Sequence, residues 1–208
     1  MPAPARDARL LAAMSDTRST SPGPDVLDSN DLVLLILGAP ASSAELQDRC
    51  NGITRLEKLA FLLEHQTDFA EKVQTPAEAL DFRAYHYGPY SQAVYDAVGL
   101  LAGIGLVTDR RVNVSSRLES GEELESMDWG DLGASGSTDR PYVERQIELT
   151  EKGKLVVGLL RERVGEEALR QITEVKDRFG TMPLRGLLRY VYDRYPEMAA
   201  ESRIRDTL

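Results

Sequence analysis

The chain contains one cysteine, two histidines and one tryptophan in 208 residues, and each scarcity excludes something. A single thiol, Cys50, rules out an internal disulfide and suits a reducing compartment. His65 and His86 have no Cys, Asp or Glu at metal-ligand spacing, so no zinc motif can be assembled and no metal or other cofactor is expected. A Gly-rich phosphate loop is missing, as is a nucleophile elbow. No constellation of acid, base and nucleophile emerges, which argues against an enzyme and leaves no catalytic residue to name. Long apolar runs are also lacking: the longest, Leu32–Leu37, is far short of the roughly 18–20 residues that cross a bilayer. Leu10-Leu11-Ala12-Ala13-Met14 is too short for a secretory core, and Asp7, Asp16 and Asp25 oppose a transit peptide. A cytoplasmic location and no membrane partner are the expectations.

What is present is ordinary for a globular chain: 42% hydrophobic and 28% charged residues, enough for one domain with an appendage. The net charge of −9 opposes indiscriminate attraction to nucleic acid or anionic lipid. Its distribution is uneven. Residues 109–140 hold eight acids against four arginines, whereas residues 151–208 hold twelve bases against ten acids.

Residues 1–28 are rich in Pro, Ser, Asp and Ala and read as a disordered lead. Asp31–Gly38 reads as a short buried helix capped by Ser29, Asn30 or Asp31 and followed by Pro40. Thr54 and Glu57 form a capping box before an amphipathic helix carrying Leu56, Leu59, Ala60, Leu62 and Leu63 to about Gln66. Thr75–Ala79 reads as a helix start or turn. Phe82–Tyr87 is aromatic and β-prone, and Gly88-Pro89 ends it. Ser91 caps the next helix, which Gly103 and Gly105 stop. Leu106–Val114 and Tyr142–Leu149 pair as a wing, separated by an acidic insertion at 115–141. Two helices, from Glu151 to about Val164 and from Glu166 to Arg178, precede a third that runs from Leu184 to Tyr195-Pro196.

Several of these segments resemble a known pattern. Thr54-Arg55-Leu56-Glu57-Lys58-Leu59-Ala60-Phe61-Leu62-Leu63, then Tyr85-His86-Tyr87-Gly88-Pro89-Tyr90-Ser91 and Val94-Tyr95, are similar to the Panacea domain of bacterial and phage-borne antitoxins and to YwgA-type proteins. In those families a Leu-Gln-Lys-Leu helix accompanies a Tyr-Gly-Pro-x-Ser turn; here Glu57 stands where Gln is common. The run Leu188–Glu197 and the nearby Ser202-Arg203-Ile204 are similar to a tail of YwgA-type relatives. Gly105-Leu106-Val107 and Leu149-Thr150-Glu151-Lys152-Gly153 resemble the wing of MarR-like and PadR-like regulators. The resemblance implies a mainly α, α+β fold without enzymatic activity: a winged helix-turn-helix domain over residues 29–153, with a two-stranded wing and additional C-terminal helices at 154–208. It also implies a transcription regulator, or an antitoxin acting by protein contact.

In a DNA-reading winged helix, the helix before Gly105 enters the major groove and needs basic or amide side chains there. The helix from Ser91 offers Gln92, Tyr95 and Asp96, and neither Arg nor Lys. Arg110 and Arg111 at the wing base, with Arg117, are placed to reach phosphate, helped by Arg55 and Lys58; the alternative is that these bases only solvate the surface. Tyr87 and Tyr90 supply interface area at low entropy cost, or else pack the turn on the core. The candidate binding set is therefore Arg55, Lys58, Tyr87, Tyr90, Ser91, Gln92, Tyr95, Arg110 and Arg111. Its target is double-stranded DNA, for a transcription regulator, or a protein such as a toxin, for a Panacea-type antitoxin or adaptor. The acidic loop Glu119–Leu132 folds onto a partner, shields the wing arginines, or is a tolerated insertion. The C-terminal helices form a homodimer or pack on the Asp31–Gly38 helix.

Overall fold

The computed structural model describes residues 26–73, 79–113, 143–205 and Leu208. Residues 1–25 of the lead expected at 1–28, most of the turn at 75–79 and the whole insertion at 115–141, with Arg117, lie outside the described residues; the end of that lead is not disordered, since Leu27 is 1% exposed in the core and Asp28 caps the first helix.

The chain is mainly helical with small antiparallel sheets. In order, α1 spans Ser29–Gly38, β1 Arg49–Asn51, α2 Ile53–Gln66 and α3 Phe69–Lys72. A hairpin follows, β2 Arg83–Tyr85 and β3 Gly88–Tyr90, and then α4 Gln92–Gly103. The strands β4 Val107–Asn113 and β5 Val143–Leu149 lead into α5 Glu151–Phe179 and α6 Leu184–Arg194. Within α5, Gly165 has non-helical dihedrals (φ 79°, ψ 169°), so the segment is two helices joined at a kink, as the pattern on either side of Gly165 predicts.

Helix α1 is the centre of the core. Leu32 through Gly38 are all buried, and α1 packs on both α4 and α5. Its N-cap is Asp28 rather than any of the three residues expected: one carboxylate oxygen accepts from the N–H groups of Asn30 and Asp31, each at 2.9 Å. At the other end, Lys176 Nζ donates to the carbonyls of Leu37 (2.6 Å) and Ala39 (3.0 Å), and Arg161 donates to that of Gly38. Two cations thus meet carbonyls that the helix itself leaves unpaired, at the negative end of its dipole.

Helix α2 departs from expectation. No capping box forms: the helix starts at Ile53 after Gly52, no side chain caps it, and Glu57 accepts from the Ser91 N–H at 3.1 Å instead. Nor does one face stay wet, since Ile53 through Leu63 are buried on every side. The polar face of α2 is covered by β3, α5 and α6.

β1, β5 and β4 form an antiparallel sheet in that order, with β5 central and Ile147 opposite Cys50 on one side and Asp109 on the other. Thr150 caps α5 by accepting from the Gly153 N–H at 3.1 Å, and its hydroxyl donates to the Gly105 carbonyl at 2.8 Å. Gly153 is needed for close approach: a Cβ there would sit 2.0 Å from the Leu106 carbonyl oxygen. The β2–β3 hairpin is separate, and Gly88, expected to end the aromatic segment, instead begins its second strand. Gly88 combines φ +85° with a Cβ position 2.7 Å from the Tyr192 ring, so a side chain would be strained twice over.

Helix α6 turns its apolar face inward. Leu184, Leu187, Leu188 and Val191 of α6 are buried in the core, so intramolecular packing absorbs the apolar surface of that helix. Among the described residues, no helix is long and apolar enough to cross a membrane.

A candidate recognition cleft

Ser91 is buried, and its hydroxyl accepts from the Val94 N–H at 3.3 Å while donating to the Leu80 carbonyl. That side chain caps α4 and ties it to the segment that leads into the hairpin. The hairpin lies over α2, where Lys58 Nζ donates to the Pro89 carbonyl at 2.8 Å and stands 3.6 Å from Glu57. Lys58 is 1% and Glu57 3% exposed. A buried ion pair is retained only when hydrogen bonds satisfy it, and here both partners bond to the backbone flanking Tyr90.

Above this pair opens a cleft of about 280 Å³. Thr54, Glu57 and Lys58 of α2 line it together with Tyr85, His86, Tyr87, Gly88 and Tyr90 of the hairpin, Tyr95 of α4 and Arg203. The rings form a ladder: His86 stacks on Tyr85 at 4.0 Å, Tyr85 lies 5.0 Å from Tyr90, and Tyr90 lies 5.4 Å from Tyr95. Guanidinium groups flank it, with Arg83 5.6 Å from the Tyr90 ring and Arg145 5.8 Å from that of Tyr95. Tyr85 is 43% exposed. Desolvation, reinforced by the Glu57 carboxylate, raises the pKa of Tyr90, and its hydroxyl donates to Gln92 Oε1. The cleft therefore offers aromatic faces, a phenol and flanking cations.

Of the nine candidate residues, this site gathers Lys58, Tyr87, Tyr90 and Tyr95, with Ser91 and Gln92 at its border. Arg55 is not at the surface. It is 8% exposed, and its guanidinium donates to the carbonyls of Asn51 (3.2 Å), Gly180 (3.0 Å) and Met182, pinning the α5–α6 connection to α2. Lys58 is equally unable to reach a phosphate from its buried position. Both expectations of phosphate contact are corrected for one reason: carbonyls from distant segments desolvate these cations and satisfy them.

Arg110 and Arg111 are exposed on β4, away from the cleft's lining. Successive residues of a strand face opposite sides of the sheet, so the two cannot act together on one face. Arg110 pairs with Glu148 at 2.9 Å, which Arg49 also approaches at 3.8 Å. On the other face Arg145 grips Asp109 through two hydrogen bonds of 2.8 and 2.6 Å.

Tyr85, Glu57 and Arg203 are cleft residues absent from the candidate set. For Arg203 there was a signal: Ser202-Arg203-Ile204 is one of the segments carrying the resemblance. The Arg203 N–H donates to the His86 carbonyl at 3.0 Å, and Ser202 Oγ lies 2.8 Å from the Tyr192 hydroxyl. The tail and the aromatic turn, far apart in sequence, are thus one unit. Compared with protein-family models, curated proteins and solved structures, the chain matches none.

Proposed function

We propose that this chain is a non-enzymatic protein-recognition module of winged-helix organisation, acting as an antitoxin or adaptor of the kind its Panacea-like residues imply. The succession α1, β1, α2, α4, β4, β5, with β5 between β1 and β4, supports the winged-helix reading. The observation that carries the protein-contact reading is the exposed face of α4. In a DNA-reading winged helix this helix would meet base edges, yet its exposed residues include Gln92, Asp96 and Leu100 and neither Arg nor Lys. The tyrosine ladder beside it has the composition of a protein interface, where aromatic rings dominate the binding energy.

The test is a pull-down from the native host with and without nuclease, identifying both protein and DNA. A single protein partner is expected to survive nuclease, and Tyr85→Ala with Gln92→Ala is expected to weaken its affinity at least about tenfold. DNA enriched for one shared sequence, and lost on Arg110→Ala with Arg111→Ala, would instead make the chain a transcription regulator.

A further inference from the structure

The first half of α5 carries an apolar stripe that nothing among the described residues covers. Leu155 is 75% and Leu159 68% exposed, although the opposite side of the same helix already supplies Val157 and Leu160 to the core. A solvated helix face carries polar residues at such positions. The stripe is extended by the end of α4. Leu100 and Ile104 are 54% and 50% exposed, and Lys152 Nζ donates to the Ile104 carbonyl at 3.2 Å, setting that end of α4 beside the start of α5. Next to Leu159, Gly158 is exposed, and a Cβ built there meets nothing within 4 Å, so another helix can come close at that point.

We propose that this face is a homodimer interface in which α5 packs antiparallel against α5 of a second copy, the two-fold axis passing between Leu155 and Leu159. The inference goes beyond the protein-recognition reading and does not depend on it. Its basis is a charge pattern complementary to itself. In an isologous interface, residue i meets j while j meets i. Antiparallel packing centred between the leucines sets Leu155 against Leu159 of the second copy. The layer on either side then sets Lys152 against Glu162 of the second copy, giving two ion pairs that flank the apolar centre. Both charged residues are exposed and lie on the same helical face as the leucines. A parallel pairing would oppose Lys152 to Lys152 and Glu162 to Glu162, which is repulsive. The pattern therefore selects the antiparallel arrangement.

The experiment is sedimentation equilibrium on the full chain. Twice the chain mass is expected, and Leu155→Glu with Leu159→Glu should give a monomer whose circular dichroism is unchanged, because neither leucine belongs to the core. Lys152→Glu alone, or Glu162→Lys alone, should weaken association by about tenfold, and the two together should restore it. A wild-type monomer in concentrated solution overturns the proposal. So does a dimer indifferent to the leucine changes, or a double charge reversal that fails to restore association. Partner capture is scored separately, so loss of the dimer with capture intact would leave the recognition reading standing.

Discussion

The bases beneath the aromatic hairpin and those on the β4–β5 sheet belong to the same chemical types but are held in opposite ways. Under the hairpin, Lys58 is 1% exposed and is bonded to a backbone carbonyl and paired with Glu57. On the sheet, the Arg110 side chain is 61% exposed and meets Glu148 across the strand. Buried, a cation must be satisfied by whatever surrounds it, so it dictates where β3 sits. Exposed, it finds water as readily as a carboxylate and dictates little. The first arrangement positions the aromatic hairpin, and the second trims the charge of a sheet.

The sharpest way to test that contrast is to remove the buried partner. Lys58→Met should destabilise the chain by about 3 kcal/mol, because Glu57 is left buried without its cation and the Pro89 carbonyl loses its donor. Urea denaturation measures this. A loss below about 1 kcal/mol would place Lys58 in the same class as the sheet arginines and undo the distinction.

Lys176 allows a second test, through pH. Burial at the end of α1 lowers its pKa to about 8, with Arg161 acting in the same direction and Cys50, Asp48 and Asp177 opposing it. Its unfolded value is near 10.5, so between these values the unfolded chain holds more protons than the folded one, and stability rises with pH. Relative to Lys176→Met, the wild-type chain should gain about 2 kcal/mol between pH 8 and pH 10. Taking the difference from the variant removes the contributions of other groups. Melting curves that stay parallel across that window would show that Lys176 is not desolvated by the helix end.

The contrast also marks how far the sequence could be read. Periodicity and local caps exposed most of the framework: the apolar run of α1, the Ser91 cap of α4, the Thr150 start of α5 and the break near Gly165 all act within a few residues of themselves. The three-residue strand β1 carries no period to detect, and Gly88-Pro89 gives the same signal whether it ends a strand or begins one. Arg55 and Lys58 were misplaced for a different reason. The carbonyls that hold them belong to Asn51, Gly180, Met182 and Pro89, and all but Asn51 are more than thirty residues away. Charge on a helix reads as surface until the covering segments are known. At the cleft, the tyrosines are legible because they cluster between residues 85 and 95, whereas Arg203, marked in the sequence only by the resemblance of its segment, is joined to them by the fold.

On the sheet itself, the two ion pairs give the smallest effects, and a ranking between them. Arg145 holds Asp109 with both carboxylate oxygens engaged, its side chain is only 20% exposed, and it lies over Tyr95. Arg110 makes one hydrogen bond to Glu148 from a largely exposed position. Bidentate geometry and partial burial are what lift a surface pair above the typical value. Arg145→Ala should therefore cost about 1 kcal/mol, and Arg110→Ala less than about 0.5 kcal/mol. Added salt should erase the Arg110 effect before the Arg145 effect, since screening acts first on the more exposed charge. Because Arg145 also braces the outer ring of the tyrosine ladder, its loss should reduce partner affinity while Arg110→Ala leaves affinity unchanged. Equal effects of the two changes on binding would mean that the partner reads the charge of the sheet and not the aromatic ladder.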